Sequence, residues 1–166
     1  ALEFEGDYFI REPYGESGYK VRTGYGAEIG TYSYVKAYGD RLLCFDNNKY
    51  YLYDRYANLL GEYDTKPKIS EYNGNMVLKN DDGTYTCYDR DMNVLLTTKF
   101  DIQPIENGYC SFADNEKGKI GFLFADGKTA IEPKYDCVTE MTPDGYFVSK
   151  TISHSEITYD LSLIHI

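Results

Sequence analysis

The sequence predicts an all-β fold: an array of tandem antiparallel β-hairpin units, each about 34–37 residues long. Three observations carry this. A glycine opens each unit (Gly39, Gly74, Gly108, Gly145), and an aromatic residue stands 14 positions later every time (Tyr53, Tyr88, Phe122, Tyr159). Five positions beyond the aromatic comes a residue that takes a left-handed backbone cheaply, Asn58, Asn93 or Gly127, so this slot is expected to be a turn. Finally, no window carries an apolar stripe at i, i+3, i+4 and i+7 long enough for a helix. Units this thin cannot bury their own aromatic face and gain a core only from their neighbours. An open solenoid-like array is the first expectation. A partial β-propeller is the alternative, because blades of short strands have similar lengths.

Residues 1–160 are read as one array, with units at approximately 5–38, 39–72, 73–105, 106–141 and a truncated 142–160. In the first, Asp7-Tyr8-Phe9-Ile10 and Gly18-Tyr19-Lys20-Val21 are the strands, and Tyr19 with Gly24 repeats the five-residue offset. Its glycines, Gly24, Gly26 and Gly30, lack the order of a nucleotide loop. The second unit centres on Lys49–Asp54, after an Asn47-Asn48 turn, and the third turns at Asp81-Asp82-Gly83. Asp89-Arg90-Asp91-Met92-Asn93 mimics the start of a calcium loop. The mimicry fails later, where Val94 replaces the required glycine and Phe100 the bidentate glutamate.

The fourth unit is the best preserved. Tyr109–Ala113 and Lys119–Phe124 are strands around a Glu116-Lys117-Gly118 turn, Ala125–Lys128 turns again, and Thr129-Ala130-Ile131 is a third short strand. Pro133 beyond it fits a sheet edge or a bend. Lys99-Phe100-Asp101 and Lys134-Tyr135-Asp136 are matching punctuation, whose carboxylates are expected to accept hydrogen bonds from the following turn. The fifth unit enters through Pro143-Asp144-Gly145. Residues 161–166, LSLIHI, read as translated sequencing-adaptor sequence, so the chain is expected to be a fragment with any targeting segment upstream.

Composition narrows the function. A net charge of -10 argues against nucleic acid, whose backbone needs clustered Lys and Arg, and against anionic membrane surfaces. No run approaches the length of a membrane span. The chain holds 19 Tyr and 8 Phe but no Trp. Tyrosine suits thin strands whose rings pack while the hydroxyls reach water. Cys44, Cys87, Cys110 and Cys137 contain no CxxC spacing and read as buried small hydrophobes rather than metal ligands or disulfides. His154, between Ser153 and Ser155, makes no dyad with either, since neighbouring strand residues face opposite ways. No carboxylate pair stands out. The expectation is a protein without catalytic residues, metal or cofactor.

The stretch Gly108-Tyr109, Gly118-Lys119-Ile120-Gly121-Phe122-Leu123, Gly127-Lys128 and Ile131-Glu132-Pro133-Lys134-Tyr135-Asp136 resembles the WG-repeat family. The family's namesake Trp is Ile120 here, and in other units Leu52 and Cys87 stand in the place of its glycine. The resemblance implies a bacterial tandem-repeat protein that serves as an interaction or surface module, and it brings no catalytic residues. The expected function is therefore binding or scaffolding of a protein partner. The alternative is carbohydrate or cell-wall binding through exposed rings at Tyr53, Tyr88, Phe122 and Tyr159, and a glycan-active enzyme comes last. Both a surface and a cytoplasmic location fit.

Overall fold

The computed structural model describes the backbone of residues 1–142, 145–152 and 157–160, and the side chains of residues 1–138. Every regular element among them is a β-strand. They form two compact units, Ala1–Gly74 and Asn75–Ile166. In the first, β1 (Glu3–Glu5), β2 (Phe9–Tyr14), β3 (Gly18–Thr23) and β4 (Glu28–Tyr32) make one four-stranded antiparallel sheet. A second consists of β5 (Tyr34–Tyr38), β6 (Arg41–Asp46), β7 (Lys49–Asp54) and β8 (Leu59–Tyr63). The two-residue β9 (Lys68–Ile69) ends the first unit's strands.

In the second unit β10 (Met76–Lys79), β11 (Tyr85–Tyr88) and β12 (Val94–Thr98) pair in sequence order. A four-stranded sheet follows, built from β13 (Asp101–Ile102), β14 (Tyr109–Asp114), β15 (Lys119–Phe124) and β16 (Thr129–Tyr135). A three-stranded one, β17 (Cys137–Thr142), β18 (Gly145–Ile152) and β19 (Ile157–Asp160), comes last. The chain is thus an all-β array of small antiparallel sheets, four-stranded in its complete members. Pro133 lies in β16, the edge strand of its sheet, in the stretch between Ile131 and Tyr135 where the pairing with β15 shifts register.

The sheets start one strand before the opening glycines. Gly39 sits in the turn between β5 and β6, Gly108 lies between β13 and β14, and Gly145 opens β18; Gly74 precedes β10. The first strands are concealed in the aromatic-Asp punctuation, since Phe100-Asp101 leads into β13 and Tyr135-Asp136 into β17. Asp136 has a partner on an earlier strand. It is ion-paired with Lys119 of β15.

Two turn designs recur. Asn47 and Asn48 (φ +50° and +60°), and Asn107 and Gly108 (φ +51° and +82°), are two-residue turns with both central residues left-handed, which matches the twist of the flanking strands. The second design is a longer loop with a fixed hydrogen-bond signature. Thr23, Asp54, Asp89 and Phe124 each donate their N–H to the carbonyl four residues on, at 2.8, 3.0, 2.9 and 2.8 Å. Each also accepts from the N–H three residues on, at 3.0, 3.2, 3.1 and 2.9 Å. One extra residue follows each loop, Ile29, Leu60, Leu95 or Ala130, and bulges out of the ladder without a partner opposite.

The left-handed residues of these loops are Gly26, Ala57, Met92 and Gly127, at φ +92°, +67°, +64° and +85°. Gly127 is where the sequence spacing puts it, whereas Asn58 and Asn93 come one position after the strained residue. Their side chains do something else. Asn58 Nδ2 donates to Asp54 Oδ2, and Asn93 Nδ2 to Asp89 Oδ2, each at 2.9 Å. Since Ala57 and Met92 carry a Cβ in a conformation that disfavours one by about 1–2 kcal/mol, Ala57→Gly and Met92→Gly are expected to stabilise the protein by about 0.5–1 kcal/mol each, after the greater freedom of an unfolded glycine is subtracted. Thermal melts read this as a rise in midpoint.

Counted from this loop, Val21, Leu52, Cys87 and Phe122 occupy one slot, and all are buried, at 0, 1, 0 and 1% exposure. The cores close between sheets. Phe9 and Val21 of the first sheet pack with Val35, Leu42 and Cys44 of the second. In the other unit, Val77, Cys87 and Leu96 pack with Ile102, Cys110, Phe112 and Leu123. Phe122 and Tyr135 pack together, with Val138 of β17 against them.

Candidate functional site

The four aromatics of the glycine-anchored spacing do not form one exposed row. Tyr53 and Tyr88 are half-buried in β7 and β11, whereas Phe122 is fully buried in β15. The side chain of Tyr159 lies outside the described residues, as do His154 and the entry turn Pro143-Asp144. Phe122 therefore offers no face to a ligand, which corrects the expectation for that ring. The physical reason is phase. Phe122 is the equivalent of Leu52 and Cys87, one residue earlier in the strand than Tyr53 and Tyr88, and a one-residue shift sends a strand side chain to the opposite face. Tyr53 is committed to structure as well. Its hydroxyl meets that of Tyr32 at 2.5 Å, with ring centroids 6.1 Å apart. Burial, followed by the hydrogen bond to Tyr53, drives the Tyr32 phenol well above its ordinary range.

Two exposed aromatic rings of the first unit lie at loop tips. Tyr25 and Tyr56 hold the same position in the loops that begin at Thr23 and Asp54, and they are 77% and 58% exposed. Their rings are close to parallel, 12° apart, with centroids 6.4 Å apart. Arg55 lies between tyrosine faces, its guanidinium carbon 5.0 Å from the Tyr56 centroid and 5.3 Å from that of Tyr8, and its Nη2 donates to the Tyr56 hydroxyl at 2.8 Å. No carboxylate neutralises it among the described residues. Choosing the glycines as the anchor hides this pair, because it matches Gly24 with Asn58 when the loop matches Gly26 with Ala57. The legible signal is a Tyr directly before the left-handed residue, in Gly24-Tyr25-Gly26 and Arg55-Tyr56-Ala57.

The loop carboxylates are saturated. Asp54 Oδ1 accepts the N–H groups of Tyr56 and Asn58 at 2.8 and 2.9 Å. Asp89 Oδ1 accepts those of Asp91 and Asn93, both at 2.9 Å. Burial tends to raise the Asp54 pKa, but the bonds from Asn58 and Tyr56 outweigh it and hold the carboxyl below its usual range. The Asn93 side chain, then its backbone N–H, does the same for Asp89. The segment Asp89–Asn93 is thus a turn closed on its own first carboxylate, that of Asp89, which already has donors.

Three of the four thiols are buried, whereas Cys137, expected to be buried as well, is only half-buried. Cys44, Cys87 and Cys110 are buried and unpaired, and burial raises all three, Cys110 to about 12. Among the described residues no group of three or more His, Cys, Asp and Glu is arranged to hold a metal ion, and no helix is long and apolar enough to cross a membrane. A depression on the first sheet gathers Glu12 and Glu28 with Lys20 and Arg22, and Lys20 Nζ lies 3.4 Å from Glu28.

A different surface recurs at the bulges. Leu59 and Leu60 on β8 are 47% and 44% exposed, and Val94 and Leu95 on β12 are 62% and 41% exposed. Both strands are sheet edges. Along a regular strand alternate residues turn inward, so one of each pair would be covered. The bulge breaks the alternation and leaves both outside.

No family model matches the chain, and no curated protein matches it in sequence. Similar solved structures include BamB from Moraxella catarrhalis, with 12% identity and a TM-score of 0.46 over 88% of this chain and 58% of that one. The N-terminal domain of Nup159 is similar at 14% identity and a TM-score of 0.46, over 92% of this chain and 53% of that one. A protein of unknown function from Bacteroides caccae gives 12% identity and a TM-score of 0.33, over 75% and 77% of the two chains. The chain spans little more than half the length of the first two.

Proposed function

We propose that this chain is a non-catalytic repeat module that binds a protein partner through the aliphatic pairs at its bulged edges. The carrying observation is that Leu59 with Leu60, and separately Val94 with Leu95, are exposed at the same slot of two sheets. Repeat arrays build contact surfaces from one slot used again. Exposed aliphatic side chains gain from dehydration by apolar groups of a polypeptide, at roughly 25 cal/mol per Å² covered. The bulges suit side-chain docking better than addition of another strand, because they interrupt the hydrogen-bonding edge. The WG-like pattern of residues 108–136 and the saturated loop carboxylates support the same reading.

Peptides displayed on phage and selected on the immobilised chain provide the test. Enriched peptides are expected to be apolar and to lose at least about tenfold in affinity for Leu60→Lys or Leu95→Lys, the equivalent of about 1.4 kcal/mol. Both sites are exposed and away from the core, so the fold should survive these changes with a shift of about 0.5 kcal/mol at most. Peptides that bind the variants as well as the parent would sink the proposal, as would failure to enrich any.

A further inference from the structure

We infer that Tyr25, Tyr56 and Arg55 form a stacking platform for an uncharged polysaccharide, separate from the edge pairs. The first argument is that the loop does not need these rings. The same hydrogen-bonded loop carries Asp91 and Asp126 at the position of Tyr25 and Tyr56, so a polar residue satisfies the fold there. Two tyrosines left 77% and 58% exposed contribute little to a core. They are instead rigid, flat and amphipathic, the qualities that make tyrosine an economical contact residue, since few rotamers are lost on binding.

The second argument concerns the shape of the ligand. Peptide recognition relies on grooves or pockets that enclose side chains. Here the rings are nearly parallel, sit at loop tips and are mostly open to water, so they present faces without enclosure. A sugar ring needs only such a face, because its C–H side packs flat on an aromatic ring while its hydroxyls project outward. Nucleic-acid bases also stack on open rings, but their phosphates would meet a chain of net charge -10.

The same charge argues against acidic polysaccharides and leaves neutral ones. Polar partners for hydroxyls are at hand. Arg55 carries five N–H donors, is tied to no carboxylate among the described residues and is oriented by its tyrosines. Gly26, directly after Tyr25, belongs to the depression that holds Glu12, Glu28, Lys20 and Arg22. These two acids and two bases supply donors and acceptors with no net charge, which suits a ligand rich in hydroxyls and free of ions.

Affinity electrophoresis of the whole chain tests this, with amylose, mixed-linkage β-glucan, galactomannan and polygalacturonate cast separately into native gels. At least one neutral polymer is expected to retard the protein, and the retardation should persist in high salt. Removing either ring, by Tyr25→Ala or Tyr56→Ala, should weaken binding about tenfold, as loss of a stacking face typically does. Arg55→Gln should weaken it less, while Tyr14→Ala and Tyr72→Ala, at exposed tyrosines elsewhere, should leave it unchanged. Circular dichroism confirms that each variant is folded. The inference is overturned if no neutral polymer retards the folded chain, if polygalacturonate alone does, or if the Tyr25 and Tyr56 variants bind normally. Leu60→Lys and Leu95→Lys, each compared with its own mobility in a polymer-free gel, should be retarded as much as the parent, which keeps this outcome independent of the protein-docking test.

Discussion

Phe122→Ala is expected to destabilise the protein by about 3–5 kcal/mol, the range for truncating a fully buried phenylalanine. The ring is 1% exposed and packs with the equally enclosed Tyr135 against Tyr109, Ala130, Ile131 and Val138, so its removal leaves a cavity that two sheets must share. Against a typical total of 5–15 kcal/mol, that loss is a large fraction of the stability. Tyr88→Ala is the informative companion. Tyr88 stands at the Phe122 position in the glycine-anchored spacing, yet it is half-buried and one residue later in the loop-anchored one. Urea titrations followed by circular dichroism should show Tyr88→Ala losing less than half as much as Phe122→Ala. Equal losses would mean that the two rings are equivalent and that the loop is the wrong anchor.

That comparison isolates what could and could not be read in the chain. Strand content, the absence of helical periodicity and the roughly 35-residue recurrence all follow from local patterns, and the sheets carry them. Anchoring on Gly39, Gly74 and Gly108 fails by a residue in places because these glycines sit in turns of different construction. Gly39 is the first residue of a two-residue turn, Gly108 the second of another, and Gly74 donates its N–H to the Ser70 carbonyl. The loops starting at Thr23, Asp54, Asp89 and Phe124 are uniform, but only one of them starts a run containing an obvious Asp-Gly. Ala57 and Met92 take the left-handed conformation without being residues that favour it, and this erased the signal. The carboxylate bonds of Asp54 and Asp89 make good that local strain, and they are visible only in three dimensions.

The candidate surfaces were less legible than the fold. A bulge is a disagreement between two strands, and nothing in Leu59-Leu60 or Val94-Leu95 alone distinguishes an exposed pair from a buried one. Leu42 and Leu43 form a similar pair in β6, and both are fully buried. The Tyr25–Tyr56 pair arises from two loops about thirty residues apart, and it emerges only once the loops are brought into phase. Exposure, rather than residue type, separates the binding candidates from the structural aromatics in a chain with 19 tyrosines.

Gly121 tests the close packing of the second unit from the opposite direction, by adding a single methyl group. Its backbone is not left-handed, and glycine within a strand is ordinarily a weakness, so alanine would stabilise an unobstructed position by about 0.5–1 kcal/mol. Gly121 is obstructed. A Cβ there would come 2.6 Å from the Ile131 carbonyl oxygen, 2.8 Å from Phe112 Cε1 and 2.9 Å from the Pro133 nitrogen. Two of these atoms are backbone of β16, held by its pairing with β15, and the third belongs to a buried ring. Relief requires the β15–β16 ladder to part, so Gly121→Ala is expected to cost about 3 kcal/mol, the upper part of the range for overpacking. Gly61→Ala is the matched control in β8. There a Cβ meets only the ring end of Tyr63, at 2.6 Å from its Cζ, and the ring can turn away at a cost of about 1 kcal/mol or less. Denaturant titrations should therefore separate the two variants by about 2 kcal/mol, and hydrogen exchange should show faster opening of the β15–β16 amides in Gly121→Ala alone. Equal effects, or a stabilising Gly121→Ala, would mean that β16 does not lie against β15 as closely as its register requires.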